Sequence, residues 1–349
     1  MQLNPTSTMI EVLTPIWQRV LQLPSIGADD NFFDLGGDSS LALELFNQIS
    51  QVYGRELPPV IIYHAPTMAA LATLLDQPGP PRLPPLVLLK AGTQAPPIFI
   101  THGLGGSVMD FFQVVKHMQV CHPIHGMQAK GIDGVDEPFD RIEDMAQFYL
   151  DAVKALQPHG PYVLIGYSLG GLVTLEMAQR LSENGEKVAL LAMLDAYPSI
   201  RNLSSGQRLR LAGRLARRHV CAVARLPLRE AFSYIIRSSE RRLYIPGDRS
   251  GNARYPSPNG TSPSVQRVRD SAYLALTRYQ PRFFSGKIRF VRAEIRSDFP
   301  TNPAAVWASL ANEFEVETVP GDHLGIMTTH FQSLASVLSR FVREALSSD

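Results

Sequence analysis

Cysteine is nearly absent from this chain and charge is sparse. Cys121 and Cys221 are its only cysteines, far apart in sequence, which excludes a disulfide framework and fits reduced thiols in the cytoplasm. Charged residues make up 19% of the 349 and hydrophobic ones 45%, the balance of a folded globular protein and not of a disordered one. No uncharged apolar run reaches the length of a membrane span. Residues 1–12 lack the basic region and apolar core of a secretory signal. There are no internal repeats. A G-x-x-G-x-x-G loop is also missing, which removes nucleotide-dependent reduction from the chemistries to be considered. No metal site is expected.

Charge is unevenly placed. Residues 1–76 hold eight acids and two bases, a net −6, while the whole chain is +1. Eleven arginines fall within residues 199–245 against Glu230 and Glu240. Such a run is a solvated face, a nucleic-acid patch, or a docking face for the acidic segment of the same chain. Nothing beyond the arginine count supports nucleic acid. Between the two regions, residues 77–85 contain five prolines, an extended semi-rigid linker. This divides the chain into domains at 1–76 and 87–349, joined by a linker at 77–86.

The first domain is helical. Ile10, Leu13, Ile16, Trp17, Val20 and Leu21 recur at helical spacing, as do Leu41, Leu45, Phe46 and Ile49. Asp38 and Ser39 suit the start of a helix over 39–53, and Pro66-Thr67 opens another over 68–75. The second domain alternates strands (98–101, 162–165, 188–194, 288–291) with helices (142–156, 172–181), the pattern of a parallel sheet covered on both faces. A last amphipathic helix covers 331–346. Residues 199–277 exceed an ordinary connection and read as a helical lid, with helices over 207–218, 228–243 and 265–276.

Gly166-Tyr167-Ser168-Leu169-Gly170 matches G-x-S-x-G between a strand and a helix. In that setting the glycines permit a sharp turn that lifts the Ser168 hydroxyl above the sheet, with the Leu169 N–H at a helix N-terminus facing developing negative charge. The glycine-rich loop His102-Gly103-Leu104-Gly105-Gly106 supplies a second oxyanion donor, the Leu104 N–H, with His102 itself structural. A serine needs a base and the base an orienting carboxylate. His323 is the best placed of the later histidines. For the acid, sequence order admits Asp195 and Asp298. Asp322, adjacent to His323, diverges from it and is discounted. Ser39, in Asp34-Leu35-Gly36-Gly37-Asp38-Ser39, is either a plain helix cap or a modified hydroxyl at a dipole-favoured position.

Together these residues resemble a known family. Leu35-Gly36-Gly37-Asp38-Ser39, preceded by Asn31-Phe32-Phe33-Asp34, is similar to the phosphopantetheine attachment motif of peptidyl and acyl carrier domains. The elbow around Ser168, Leu194-Asp195-Ala196-Tyr197-Pro198, Tyr279-Gln280-Pro281 with Gly286-Lys287-Ile288, and Gly321-Asp322-His323 resemble the type I thioesterases that end nonribosomal peptide and polyketide synthetases. The oxyanion loop departs mildly, with glycines where many members carry proline or bulkier residues. The resemblance implies a small four-helix carrier bundle joined to an α/β-hydrolase domain with a mostly parallel sheet and a helical lid insertion. It implies 4′-phosphopantetheine on Ser39 and a Ser168–His323–Asp195 triad, favouring Asp195 as the acid. The expected function is transfer of an acyl or peptidyl thioester from the carrier to Ser168, then release by hydrolysis or cyclisation. The expected partners are a phosphopantetheinyl transferase and upstream synthetase modules, with no membrane and a cytoplasmic location. The alternative is a free-standing serine esterase or lipase with an inert helical bundle.

Overall fold

The structure is a computed structural model that describes residues 5–54, 57–77, 79, 81–199, 206, 213, 262–295 and 302–347. Two of the lid helices expected from sequence, most of the arginine-rich run, Cys221, His219 and Asp298 lie outside these residues.

The first domain packs α1 (Pro5–Leu21), α2 (Ser39–Tyr53) and α3 (Met68–Leu75), with a 3₁₀ helix (Pro59–Tyr63) as its fourth helical element. Asp38 caps α2, its Oδ1 accepting from the Ser40 and Leu41 N–H groups, both at 2.9 Å. The Thr67 hydroxyl accepts from the Ala70 N–H at the head of α3. The apolar stripes of α1 and α2 meet around Trp17, Phe32, Leu45 and Ile49, all buried. Trp17 and Phe32 stand edge to face at 5.4 Å. The Phe32 ring occupies the space beside Gly37, where a Cβ would come within 2.3 Å of it.

The second domain is built on a seven-stranded sheet in the order β1-β3-β2-β4-β5-β6-β7. Its strands are β1 (Leu86–Lys90), β2 (Ile98–Thr101), β3 (Ile124–Met127), β4 (Tyr162–Tyr167), β5 (Val188–Leu194), β6 (Phe284–Ala293) and β7 (Ala311–Val319). Only β1 pairs antiparallel, to β3. The other neighbours are parallel. Period-two alternation sends Tyr162 and Leu164 to one face and Val163, Ile165 and Tyr167 to the other. The first face carries α5 (Ile142–Leu156), α6 (Leu169–Glu183) and α7 (Pro263–Arg278). The second carries α4 (Phe112–His117) and, after the short helices α8 (Ala304–Trp307) and α9 (Gly325–Thr328), the long α10 (Phe331–Leu346). This is the parallel sheet covered on both faces that the strand–helix alternation implies, in the α/β-hydrolase arrangement that the resemblance implies.

β1, β3 and α4 were not among the elements expected from sequence. β1 begins directly after the prolines, and Ile124-His125-Gly126-Met127 has no apolar run to announce a strand. β4 and α6 also reach further than their apolar cores indicate, so that only Ser168 separates them.

Residues 81–85 run along the second domain, where Asp133 Oδ2 accepts from the Leu83 N–H at 3.1 Å and Gln128 Nε2 donates to the Pro84 carbonyl at 2.8 Å. The two domains touch. Phe33 stacks on Phe112 of α4 at 5.4 Å and 27°, and Val60 packs with Val87 and Val108.

Phe32→Ala empties a fully buried position in the first domain and costs about 3–5 kcal/mol there. The two tryptophans divide between the domains, so urea unfolding followed at Trp17 should shift to lower midpoint while the Trp307 transition stays in place. A joint shift of both would show that the domains unfold as one unit.

Candidate active site

The chain turns sharply between β4 and α6. Ser168 adopts φ 54° and ψ −118°, a costly backbone conformation for a residue with a side chain. Its N–H donates to the Leu194 carbonyl at 2.9 Å, and its carbonyl accepts from the Gly171 N–H at 3.1 Å. Three glycines make the turn possible by removing atoms. A Cβ on Gly166 would lie 2.2 Å from the Gly170 carbonyl oxygen, and one on Gly170 would lie 2.4 Å from the His102 carbonyl oxygen. One on Gly171 would lie 2.4 Å from the Ala196 Cβ. Leu169 is the first residue of α6, where an N–H has no partner within the helix and sits at the positive end of the dipole.

His323, on the loop after β7, reaches this serine. Its Nε2 lies 3.2 Å from Ser168 Oγ, and its Nδ1 lies 2.8 Å from Asp195 Oδ2. A carboxylate only accepts, so Nδ1 carries the hydrogen and the Nε2 lone pair faces the hydroxyl. Asp195 is buried at 4% exposure and follows β5 at φ 45°. Its own N–H donates to the Val291 carbonyl at 2.7 Å, and Oδ1 accepts from the Ala293 N–H at 3.4 Å. The next residue is pinned as well, since Trp307 Nε1 donates to the Ala196 carbonyl at 3.1 Å. Asp322 points elsewhere, its Oδ1 accepting from the Gly325 N–H at 2.6 Å. His330 packs beside Gly321 behind the loop.

The loop after β2 presses on the elbow. A Cβ on Gly103 would come 3.0 Å from the Tyr167 ring and 3.7 Å from Ser168 Cβ. This brings the segment bearing Leu104 beside the serine. His102 is buried, with Nδ1 2.6 Å from the Gly103 carbonyl oxygen and Nε2 2.7 Å from the Tyr149 hydroxyl. Burial pushes its imidazole down to about 4, against a smaller opposing effect of the Gly103 hydrogen bond.

Tyr167 is a contributor that the sequence pattern did not single out. Its hydroxyl donates to the His323 carbonyl at 2.7 Å, and its ring stacks on the imidazole at 4.9 Å and 23°. Burial pushes this hydroxyl well above the usual tyrosine range, which keeps it a donor. The only available signal was an aromatic residue at the first variable position of the elbow.

Ser39 is the first residue of α2 and faces a cleft of about 640 Å³ between the two domains. Leu43 shares its wall, and Met109, Asp110, Tyr167 and Leu324 border the cleft from the second domain. Asp110 is open to water yet ringed by protein, and that desolvation raises its carboxyl pKa. The cleft therefore runs from the head of α2 to the residue preceding Ser168.

Residues 11–75 match the model of the phosphopantetheine attachment site, and residues 96–236 match that of the thioesterase domain. A dimodular nonribosomal peptide synthase of Bacillus subtilis is 40% identical over 56% of this chain, which spans 8% of that protein. Malpibaldin synthetase of Mortierella alpina is 30% identical over 89% of the chain, which spans 5% of it. The chain thus corresponds to a small part of these relatives. Among solved structures, a four-domain nonribosomal peptide synthetase, holo-AB3403 with AMP and glycine, aligns with a TM-score of 0.57. That alignment is 22% identical and covers 97% of this chain and 26% of that one.

The buried His102 gives the second domain a pH dependence of defined sign. An unfolded histidine titrates near 6.5 and this one near 4, so between those values the unfolded chain binds a proton that the folded one does not. Stability is intact above the upper value and declines as pH falls through the window, by roughly 3 kcal/mol in total. Urea midpoints read at Trp307 should fall across this range in the wild type and fall less in His102→Asn. Parallel pH profiles for the two proteins would disprove the assignment.

Proposed function

This chain joins a phosphopantetheine carrier domain to a thioesterase domain, and we propose that Ser39 presents an acyl or peptidyl thioester which Ser168 accepts and releases. The reading belongs to nonribosomal peptide or polyketide synthesis, with hydrolysis or cyclisation as the release step. The observation that carries it is the hydrogen-bonded line from Asp195 through His323 to Ser168, at 2.8 and 3.2 Å.

The residues at the head of α2 fit the attached group. The Ser39 hydroxyl borders the cleft, and the Leu43, Met109 and Leu324 side chains there suit an alkyl arm while Asp110 and Gln113 suit its amides. Phosphopantetheine supplies, when bound, a mobile thiol that holds the cargo as an activated thioester. Ser168 Oγ attacks the carbonyl as its proton passes to His323 Nε2, and Asp195 stabilises the imidazolium that forms. The N–H groups of Leu169 and Leu104 hold the oxyanion, each contributing about 3 kcal/mol in the transition state. Nε2 then gives its proton to the departing sulfur, leaving an ester on Ser168. Water, or a nucleophile within the cargo, loses a proton to Nε2 and attacks that ester. Nε2 returns this proton to Ser168 Oγ as the product leaves. A phosphopantetheinyl transferase is the partner needed to modify Ser39, and upstream synthetase modules supply the cargo.

Two experiments test this. Incubation with a phosphopantetheinyl transferase and acyl-coenzyme A should add the acyl arm, seen by intact mass, and Ser39→Ala should abolish the gain. Ser168→Ala should keep the loaded acyl group, with release slowed by about 10³-fold or more. No mass gain, or a gain that survives in Ser39→Ala, would favour an esterase with an inert bundle. Release untouched by Ser168→Ala would overturn Ser168 as the nucleophile of either reading.

The contact between domains is apolar among the described residues, with Phe33 stacked on Phe112. Phe112→Ala should slow loss of the acyl group from the carrier by about tenfold, the loss of roughly 1.4 kcal/mol of buried contact. Hydrolysis of a small soluble thioester should be unchanged. Equal slowing of both substrates would assign Phe112 to the hydrolase core and not to docking.

A further inference from the structure

We propose that His102 is a positioning residue of the oxyanion site: its imidazole holds the Gly103 carbonyl and so aims the N–H of the same peptide group, that of Leu104, at Ser168. This rests on the thioesterase function proposed above and adds to it the means by which one donor is oriented.

The argument is geometric. A trans peptide group is planar, with its C=O and N–H pointing in opposite directions. Whatever fixes the carbonyl of Gly103 therefore fixes the N–H of Leu104. Two donors fix that carbonyl. The Gly106 N–H reaches it at 3.2 Å across the turn, and His102 Nδ1 lies 2.6 Å from it. A carbonyl has two lone pairs and accepts both. Because the carbonyl cannot donate, Nδ1 must carry the imidazole hydrogen, and Nε2 must accept. Nε2 finds its donor in the Tyr149 hydroxyl at 2.7 Å, and burial keeps that hydroxyl protonated. Every polar atom of this buried pair then has one consistent role. The peptide group so held belongs to the loop that touches the nucleophile, since a Cβ on Gly103 would lie 3.7 Å from Ser168 Cβ. The elbow limits the loop from the other side, because a Cβ on Gly170 would lie 2.4 Å from the His102 carbonyl oxygen and 2.5 Å from that of Thr101, so the loop has no room to move closer. The ring nitrogens of His102 are bonded to the Gly103 carbonyl and the Tyr149 hydroxyl, not to Ser168 or His323. It acts through the backbone.

Substitution separates position from bulk. In His102→Asn the Nδ2 donor occupies roughly the place of the imidazole Nδ1. In His102→Gln the donor falls near Nε2 instead, although glutamine fills the cavity better. The substrate is butyryl N-acetylcysteamine thioester, a soluble acyl donor, acting on the full chain well below its thermal midpoint. Asparagine should keep kcat within about threefold of wild type. Glutamine and leucine should lower kcat by about 10- to 100-fold with KM unchanged, the signature of a donor lost only in the transition state. Tyr149→Phe, which leaves the ring in place but removes the donor to Nε2, should lower kcat several-fold in the same manner, and serves should a His102 variant not fold. Activity that follows side-chain volume, with glutamine above asparagine, would overturn the proposal. So would kcat indifferent to both His102 and Tyr149. A wild-type chain that turns over the thioester no faster than Ser168→Ala removes the thioesterase function and this inference with it. Turnover abolished by Ser168→Ala but insensitive to His102 sinks only the positioning role.

Discussion

The first turn of α6 lies directly against the loop that follows β2, and the rest of the second domain is arranged around that contact. Gly170 faces the carbonyls of Thr101 and His102 with no space for a side chain. This closeness lets one loop and one helix end converge on a single serine. It also forces the strained backbone of Ser168, whose cost is met by the hydrogen bonds to Leu194 and Gly171 on either side. A larger residue at position 166 or 170 would separate strand, helix and loop, and the loop and helix end would no longer converge on the Ser168 hydroxyl.

Parallel strands explain why residues so distant in sequence meet. β2, β4, β5 and β7 all end at the same edge of the sheet, and the segments leaving that edge carry His102 to Gly106, Ser168, Asp195 and His323 in turn. Rigidity comes from the supporting contacts. Asp195 is anchored by β6 through Val291 and Ala293, and the His323 loop is held by the Tyr167 hydroxyl and ring. The buried carboxylate beside Nδ1 favours one tautomer of the His323 ring.

The carrier domain meets the hydrolase at the mouth of this site. The acidic bundle and the arginine-rich run suggested attraction by charge; the arginines of that run lie outside the described residues, and the contact among the described residues is made by Phe33, Phe112, Val60, Val87 and Val108. Apolar contact of this kind is short-ranged and insensitive to salt, whereas surface charges act over about 8–10 Å and are screened. The linker residues 81–85 lie on the hydrolase surface, and the head of α2, with Ser39, borders the cleft leading to Tyr167.

Local signals in the sequence were enough for much of this. Apolar spacing fixed α2 at 39–53 and β5 at 188–194, because burial on one face or both leaves a periodic trace. The glycine pattern around Ser168 between a strand and a helix named it as the candidate nucleophile, and chain order left His323 as the candidate base, two side chains that the fold brings to 3.2 Å of one another. What the sequence could not decide depended on distance through space. Order along the chain allowed Asp195 and Asp298 alike and the choice between them came from the resemblance alone, whereas the sheet register brings the Asp195 carboxylate to 2.8 Å from the imidazole. β1 and β3 carry no strong pattern of their own and are strands because neighbours pair with them. The contacts of Tyr167 and His102 were likewise invisible, since a ring stacked on His323 and an imidazole bonded to a loop carbonyl and to Tyr149 arise from packing that no local pattern announces.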